Sequence, residues 1–282
     1  SIVLVAVHLG LYLGARNIIV AMIERSAGDL WIMAYGTKNF EGAQPIGLRE
    51  KFAALSTPGV AKAVPLIVSF MDWRKPKGGS TLVIVVGTDA EDGGLVPWNL
   101  VEGDLNALGA RDAVIVAKTY LRDLGVEGAG DTAQIGASRV RISGLTEGIR
   151  SFTVSPYVFT TLNRARNLLE MPADNTSYVL VKLQPGADIE AVRNELRSKV
   201  PDNEVLTKAE FRDRSLNHWL FATGAGVALI GGAVLGLVVG TVIVAQTLYS
   251  STKDHINEFA TLRALGSSSG YLHRVILAQA AL

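Results

Sequence analysis

The longest uninterrupted hydrophobic stretch lies near the C-terminal end of the chain. Between Asn217 and Thr252 no residue carries a charge, and Val, Leu, Ile, Ala and Gly dominate. A helix of about 20 apolar residues crosses a bilayer core about 30 Å thick. Trp219 and Tyr249 bracket the stretch, as aromatic residues do at the two membrane–water interfaces. The pattern therefore predicts a transmembrane helix over residues 216–250.

Small residues recur at every fourth position within this stretch. They are Gly224, Ala228, Gly232, Gly236 and Gly240. Positions four apart share one face of a helix, and small residues there let a second helix approach closely. The spacing predicts a helix-packing face. The alternative is that glycine is simply frequent in membrane helices.

A second apolar stretch opens the chain. Residues 1–15 are apolar apart from His8, and Arg16 is the first charge. A helix of this length rises only about 22 Å at about 1.5 Å per residue, which is short of the bilayer core. We therefore expect the natural helix to begin upstream, and we predict a truncated first transmembrane and stalk helix over residues 1–23. A signal peptide is the alternative, but no basic segment precedes the stretch and no clean small-residue cleavage site follows it.

Residues 24–215 have the pattern of a soluble α+β domain. Strand, helix and strand patterns follow one another at both ends of this region. Two such units can pair as a split βαβ, ferredoxin-like sheet. We predict α/β halves over about 24–72 and 155–215, with a β-rich insert over about 73–154. In the halves we predict strands at 29–34, 60–70, 177–183 and 204–207 and helices at 46–56 and 188–199. In the insert we predict strands at 81–88, 112–117 and 139–146 and a helix at 118–125.

After Tyr249 the pattern changes from apolar to amphipathic. Ile256, Phe259 and Leu262 have helical spacing, and Gly266 is placed to end the helix. This predicts a short amphipathic segment over residues 251–270, directly after the membrane helix.

The nine residues EFATLRALG, Glu258 to Gly266, resemble the cytoplasmic coupling segment of FtsX/MacB-like permeases of ABC transporters. Within that family the DevC-like subgroup is the best match. The resemblance includes SAGDLW at residues 26–31 and is sharpest in the FtsX-like region that begins at about residue 219. It implies a MacB-like periplasmic core domain over residues 24–215 and a third membrane helix that begins at 271–282 and is cut there.

The resemblance also implies a function and partners. The chain would be the permease subunit of a bacterial ABC exporter in the inner membrane, working by mechanotransmission between a cytoplasmic ATPase subunit and the periplasmic domain. Its partners would be that ATPase, a periplasmic membrane-fusion adaptor, an outer-membrane channel, a second copy in a homodimer, and membrane lipid. The ATPase-coupling residues would be Glu258, Phe259, Leu262, Arg263 and Gly266. The alternative is an FtsX-like signalling protein that regulates a periplasmic cell-wall hydrolase.

Two surface features are candidate adaptor contacts. Trp73, Arg74 and Lys75 begin a basic, turn-rich stretch between predicted strands, which can instead be a solvated hairpin that keeps a sheet edge soluble. Trp98 lies in a loop, where it can anchor a partner or pack under its own loop.

Composition excludes several classes of function. The chain has 282 residues and a net charge of +1 from 27 basic and 26 acidic residues, so no basic field favours nucleic acid. It has no cysteine, which removes disulfides and thiolate metal sites, and its four histidines lack paired-ligand spacing. There is no GxxxxGK[ST] phosphate loop. We therefore expect no enzyme activity, metal or cofactor in this chain, with ATP bound by the partner subunit.

The distribution of basic residues predicts the orientation. Lys253, Arg263 and Arg274 lie in a short segment after the membrane helix, where basic residues mark the cytoplasmic side. The region 24–215 would then lie outside the cytoplasm.

Overall fold

A computed structural model describes residues 2–89, 93–268, 270–271 and 274 of the protein. Contacts between residues divide it into two compact units, one formed by Ala15–Thr223 and the other by Ser1–Gly14 with Gly224–Leu282. The predicted start of a third membrane helix at 271–282 lies almost entirely outside the described residues.

The helices and strands follow one another in this order. They are α1 (Ile2–Arg25), β1 (Leu30–Ala34), β2 (Ile46–Gly47), α2 (Arg49–Leu55), β3 (Val60–Arg74), β4 (Ser80–Thr88), β5 (Leu100–Gly103), β6 (Ala113–Ala117), α3 (Leu121–Leu124), β7 (Thr132–Ile135), β8 (Ser138–Thr146), β9 (Tyr157–Thr161), α4 (Leu162–Leu168), β10 (Asn175–Thr176), β11 (Tyr178–Leu183), α5 (Ile189–Lys199), β12 (Asn203–Thr207), α6 (Lys208–Leu216), α7 (Ala225–Asp254) and α8 (Ile256–Ala264). Short 3₁₀ turns lie at Leu105–Gly109 and Lys118–Tyr120, and a π-helical turn lies at Asn217–Ala222.

Four strands of the larger unit form the predicted ferredoxin-like half. They are arranged in the order β12-β1-β11-β3, and each neighbouring pair is antiparallel. Helices α2 and α5 pack against this sheet and against each other over one apolar core, which includes Leu30, Ile32, Ala54, Val181 and Leu196. The predicted split βαβ arrangement is confirmed.

Local sequence explains why α5 and α6 begin where they do. The Asp188 carboxylate accepts the backbone N–H of Glu190 at 2.9 Å, and Val192 and Leu196 then fall four residues apart on the buried face. At α6 the Thr207 hydroxyl and the Glu210 carboxylate form a reciprocal capping box. Each helix therefore starts at a residue that satisfies its first free N–H groups.

The β-rich insert shares one sheet with the ferredoxin-like half. Strand β3 continues to Arg74 and pairs with β4, and further pairing through β9, β6, β8 and β7 returns to β3. These six strands form a closed ring whose interior is filled by apolar side chains such as Val85, Ile115 and Val140. The expected boundaries near residues 72 and 155 therefore do not separate two sheets.

Two helices start later than the sequence pattern suggested. The helix expected at 46–56 begins at Arg49, because Ile46 and Gly47 pair with β10. The membrane helix expected over 216–250 is interrupted. A π-helical turn covers Asn217–Ala222, Gly224 adopts the left-handed conformation with φ +78°, and α7 begins at Ala225.

The smaller unit contains α7, which is long and apolar enough to cross a membrane. It has 30 residues, and its most apolar 18-residue segment has a mean hydropathy of 2.6. In Val5–Arg25 the most apolar 18-residue segment has a mean hydropathy of 1.5. Two helices of this kind, together with the α/β domain, fit the predicted class of membrane protein.

Candidate functional site

Helix α8 has nine residues, and none of them is buried. One residue, His255, separates it from the end of α7, and it carries four of the predicted coupling residues. Ile256 is 59% exposed and Leu262 is 39% exposed, while Phe259 is half-buried. Exposed apolar side chains of this kind are suited to a pocket on another protein.

Polar contacts define both ends of α8. At its start, Nδ1 of His255 lies 3.0 Å from Oε1 of Glu258, and this hydrogen bond raises the pKa of His255. At its end, Gly266 has φ +97°, and its N–H donates to the carbonyl of Arg263 at 3.1 Å. The N–H of Ser267 donates to the carbonyl of Leu262 at 3.1 Å. The segment therefore has a sharp stop of the Schellman type, at the glycine that the sequence indicated.

The predicted small-residue face is only partly continuous. Gly236 and Gly240 are buried in α7, and a Cβ at Gly232 would overlap the imidazole of His8 from α1. Close approach of α1 therefore depends on glycine at this position. Ala228, in contrast, is exposed, and Gly224 caps the helix instead of lying on its face.

Inside the larger unit, hydrogen bonds and an ion pair connect the C-terminal end of α1 to the start of α6; we call these contacts the tie. Nζ of Lys208, the first residue of α6, donates to the carbonyl oxygens of Glu24 at 3.0 Å and Ser26 at 2.7 Å. A cation at the C-terminal end of α1 also interacts favourably with the helix dipole. Arg212 adds an ion pair to Glu24 at 3.4 Å. The tie joins the first and last helices of the domain.

A two-pronged ion pair holds α6 onto the sheet. Arg214 donates to Glu204 through both terminal nitrogens, at 2.6 and 3.0 Å. These hydrogen bonds from Arg214 hold the pKa of Glu204 below its ordinary value. The geometry is the strong, bidentate form of an arginine–carboxylate contact.

A buried carboxylate, Glu41, organises the loop that precedes β9. Its oxygens accept hydrogen bonds from Ser151 at 2.8 Å, Thr153 at 2.9 Å and Tyr157 at 2.6 Å. Burial raises the pKa of Tyr157, and the charge of Glu41 raises it further. The loop also carries Phe152.

Phe152 connects this loop to the π-helical turn before α7. Its ring centroid lies 5.1 Å from that of Trp219. A π-helical turn has poorer hydrogen-bond geometry than an α-helix and is common at functional sites. The contact therefore joins the loop held by Glu41 to the irregular segment that leads out of the domain.

The structure places Trp73 differently from expectation and leaves Trp98 half-buried. Trp73 does not lie on a hairpin tip, because it is part of β3, is fully buried and donates Nε1–H to the carbonyl of Leu124 at 2.9 Å. Its side chain is therefore unavailable at the surface. Arg74 is exposed and Lys75 is half-buried. Trp98 is half-buried, packs against the core and has the Arg25 guanidinium 5.5 Å from its ring centroid.

Sequence reasoning missed the contacts that connect distant parts of the domain. The tie at Lys208 and the Glu41 network join residues more than 100 positions apart, and no local pattern marks them. The start of α6 did carry a signal, since Thr207 and Glu210 have capping-box spacing. Among the residues that the structure describes, no three histidine or carboxylate groups come together as metal ligands.

Comparisons with known proteins give a family and a fold. The family model described as the MacB-like periplasmic core domain matches residues 1–199. The periplasmic region of MacB from Actinobacillus actinomycetemcomitans is similar in structure, with 11% identity and a TM-score of 0.50, covering 69% of this chain and 96% of that chain. The extracellular domain of the noncanonic ABC-type transporter YknZ from Gram-positive bacteria has 16% identity and a TM-score of 0.45, covering 64% of this chain and 99% of that chain. At these identities the first likeness shows the fold alone. No curated protein sequence matches significantly.

Proposed function

The chain belongs to the family of the MacB-like periplasmic core domain, and we propose that it is the permease subunit of a bacterial exporter that works by mechanotransmission. Membership of this family makes it a membrane protein of the ABC-transporter permease type. ATP-driven closure of a separate ATPase subunit would displace α8 on the cytoplasmic side. Helix α7 would carry the displacement across the inner membrane to the periplasmic domain.

One observation carries the proposal. Helix α8 directly follows the membrane-spanning α7, and it leaves Leu262 exposed and Phe259 only half-buried. A short helix of this kind can dock into a groove of a partner. Phe259 and Leu262 would fill an apolar pocket, and Glu258 and Arg263 would fix the orientation through charge-assisted hydrogen bonds.

Several finer points belong to the same proposal. We propose a homodimer in the inner membrane, with a periplasmic adaptor and an outer-membrane channel as further partners. Arg74 and Lys75 remain candidate adaptor contacts, and Trp98 is a weaker one because Arg25 covers its ring. Membership of the DevC-like subgroup remains a prediction. The comparisons do not favour the alternative of an FtsX-like regulator of a cell-wall hydrolase.

The coupling proposal is tested in the full-length protein expressed with its ATPase. The double variant Phe259→Asp/Arg263→Glu places negative charge in the proposed apolar pocket and reverses the orienting cation. We expect loss of copurification with the ATPase and loss of export. The control Lys253→Glu/Asn257→Asp changes the net charge equally but alters none of the proposed coupling residues, and it should retain both. Retained copurification and export by the first variant would refute coupling through α8.

A further inference from the structure

Strand pairing places three long polar side chains in one line on the outer surface of the six-stranded ring. Arg74 of β3 lies opposite Gln134 of β7, and Gln134 lies opposite Arg139 of β8. All three residues are exposed. Since neighbouring strands are about 4.8 Å apart, the backbones of the two arginines lie about 10 Å apart, with an amide side chain between them. We call Arg74, Lys75, Gln134 and Arg139 the basic row.

The basic row lines a shallow groove of about 390 Å³. The rest of the lining is Pro76, Thr132 and Ala133, so no carboxylate among the described residues borders the groove. A surface with cations on both sides and no acid between them has a positive potential that selects negatively charged partners.

The cations of the row lack the carboxylate partners that other arginines of the domain have. Arg193 and Arg214 each form an ion pair with a glutamate. Within the described part of the chain, the charged groups of Arg74 and Lys75 have no hydrogen-bond or ion-pair partner, and the guanidinium of Arg139 donates only to the hydroxyl of Thr132, at 3.1 Å. Within the described residues, a partner would therefore have no internal ion pair to displace at these three cations.

The backbone that carries the row is fixed before any partner binds. Trp73, the residue before Arg74, is buried and bonded to the carbonyl of Leu124. The aliphatic part of Lys75 packs against Gly125, where an added Cβ would lie 3.1 Å from Cβ of the lysine. The N–H of Lys75 also donates to the carbonyl of Gly79 at 3.0 Å across the turn. A fixed backbone lowers the entropy cost of binding.

We propose that the basic row binds an acidic, extended segment of a partner protein. Arg74 and Arg139 would each bind one carboxylate in a bidentate manner, and Gln134 would bond to the peptide group between them. Cations on two strands, separated by the strand that carries Gln134, match a ligand with several separated charges better than one compact anion. The inference rests on the proposed adaptor contact at Arg74 and Lys75, for which it names the partner chemistry. It uses no residue of α8, so it and the coupling proposal can fail separately.

The test measures binding of a fluorescein-labelled hexaglutamate peptide to the full-length protein in detergent, by fluorescence anisotropy. Arg74→Glu/Arg139→Glu should weaken binding at least about tenfold, because the introduced carboxylates then repel those of the peptide. Lys38→Glu/Lys51→Glu changes the net charge equally at positions outside the groove and should change binding less than about twofold. Wild-type binding should weaken with added salt, as exposed charge contacts do. Arg74→Lys/Arg139→Lys, which keeps the charge, should retain most of the binding.

Several outcomes would overturn the proposal. One is that wild-type protein does not bind hexaglutamate, and another is that both charge-reversed variants weaken binding equally. Binding of phosphatidylglycerol vesicles through Arg74 and Arg139, with no binding of the peptide, would assign the row to a lipid surface instead of a protein. Thermal unfolding is measured for each variant. A midpoint equal to that of wild type establishes that the substitutions act on the surface and not on folding.

Discussion

The two compact units of the chain use apolar residues in opposite ways. In Ala15–Thr223, large apolar side chains such as Leu66 and Val85 are fully buried at 0% exposure. In α7, Leu235 is 65% exposed and Val239 is 54% exposed. Such exposure is unfavourable in water at about 25 cal/mol per Å² of apolar surface, whereas lipid tails are as apolar as leucine. The difference shows that one unit is organised for water and the other for a bilayer.

Polar groups follow the same division. In the larger unit, the buried Glu41 is satisfied by three hydroxyl groups from distant residues. In α7, the hydroxyl of Thr241 donates to the carbonyl of Leu237 at 2.8 Å, and that of Thr247 donates to the carbonyl of Ile243 at 2.9 Å. A helix in lipid has to satisfy its polar groups locally, since no water is present. Four predictions test this contrast.

The largest effect is expected for the same leucine-to-alanine change made in each unit. Leu66→Ala leaves a cavity in the core and should lower the free energy of unfolding by about 3–5 kcal/mol. Leu235→Ala, on the exposed face of α7, should change it by less than about 0.5 kcal/mol. Urea unfolding followed by tryptophan fluorescence measures this, because all four tryptophans lie in Ala15–Thr223. Equal effects would contradict the assignment of α7 to lipid.

A valine-to-lysine change compares two equally exposed positions. Val239 is 54% exposed in α7 and Val101 is 50% exposed in β5. Val239→Lys should disfavour membrane insertion by about 3 kcal/mol, because a charge at the centre of a membrane helix is poorly solvated. Val101→Lys should have little effect on stability or insertion. Carbonate extraction of membranes gives the inserted fraction, and unchanged insertion of Val239→Lys would place α7 outside the bilayer core.

Adjacent glycines test the helix contact within the smaller unit. At Gly232 an added side chain would overlap His8, whereas at Gly231 nothing lies within 4 Å. Gly232→Leu should weaken packing of α1 on α7 by about 1–3 kcal/mol, and Gly231→Leu should not. Cysteines introduced at Ala6 and Leu237, which line the same cavity, report the packing by their crosslinking yield in a chain without native cysteine. Similar yields in both variants would refute a glycine-dependent contact.

The smallest effect concerns pH and the ion pair that holds α6. Arg214 lowers the folded-state pKa of Glu204, so the pair adds stability above the ordinary carboxyl pKa of about 4.3, and that stability is lost as the pH falls through the lowered value. Glu204→Gln should lower the free energy of unfolding by about 1 kcal/mol at pH 7. It should also make this free energy depend less on pH below the ordinary carboxyl pKa. Glu195→Gln, which removes the more exposed pair with Lys199, should cost less. Urea unfolding between pH 3 and pH 7 measures both, and a variant profile as steep as that of wild type would argue against the pair.

The ferredoxin-like half could be predicted because its signals are local. Apolar spacing in α5 and the turn residues around Pro201 repeat the pattern found near Pro58. The closed ring could not be predicted. It depends on pairs such as Trp73 with Ile135 and Ile84 with Tyr157, which are distant in the chain, and β7 has only four residues. Short strands joined by non-local pairing leave little periodicity to detect.

The candidate site shows the same difference between features with local signals and features that depend on distant residues. The spacing of Ile256, Phe259 and Leu262 and the glycine at position 266 indicated α8 and its end. The burial of Trp73 and the break at Gly224 contradicted expectations, because a strand continued where a turn was expected and a glycine adopted φ +78° where a helix was expected. Both outcomes depend on neighbours that the local pattern does not contain.

The sequence by itself determined the two apolar stretches of membrane length, the strand–helix–strand periodicity and the short helix after α7 with its glycine stop, because each follows from residues close together in the chain. Only the tertiary structure decided that Lys208 ties the end of α1, that Glu41 holds the Phe152 loop, and that Arg74, Gln134 and Arg139 stand in one line. The physical reason is that strand pairing and buried hydrogen bonds join residues far apart in the chain, and their partners are set by the folded backbone.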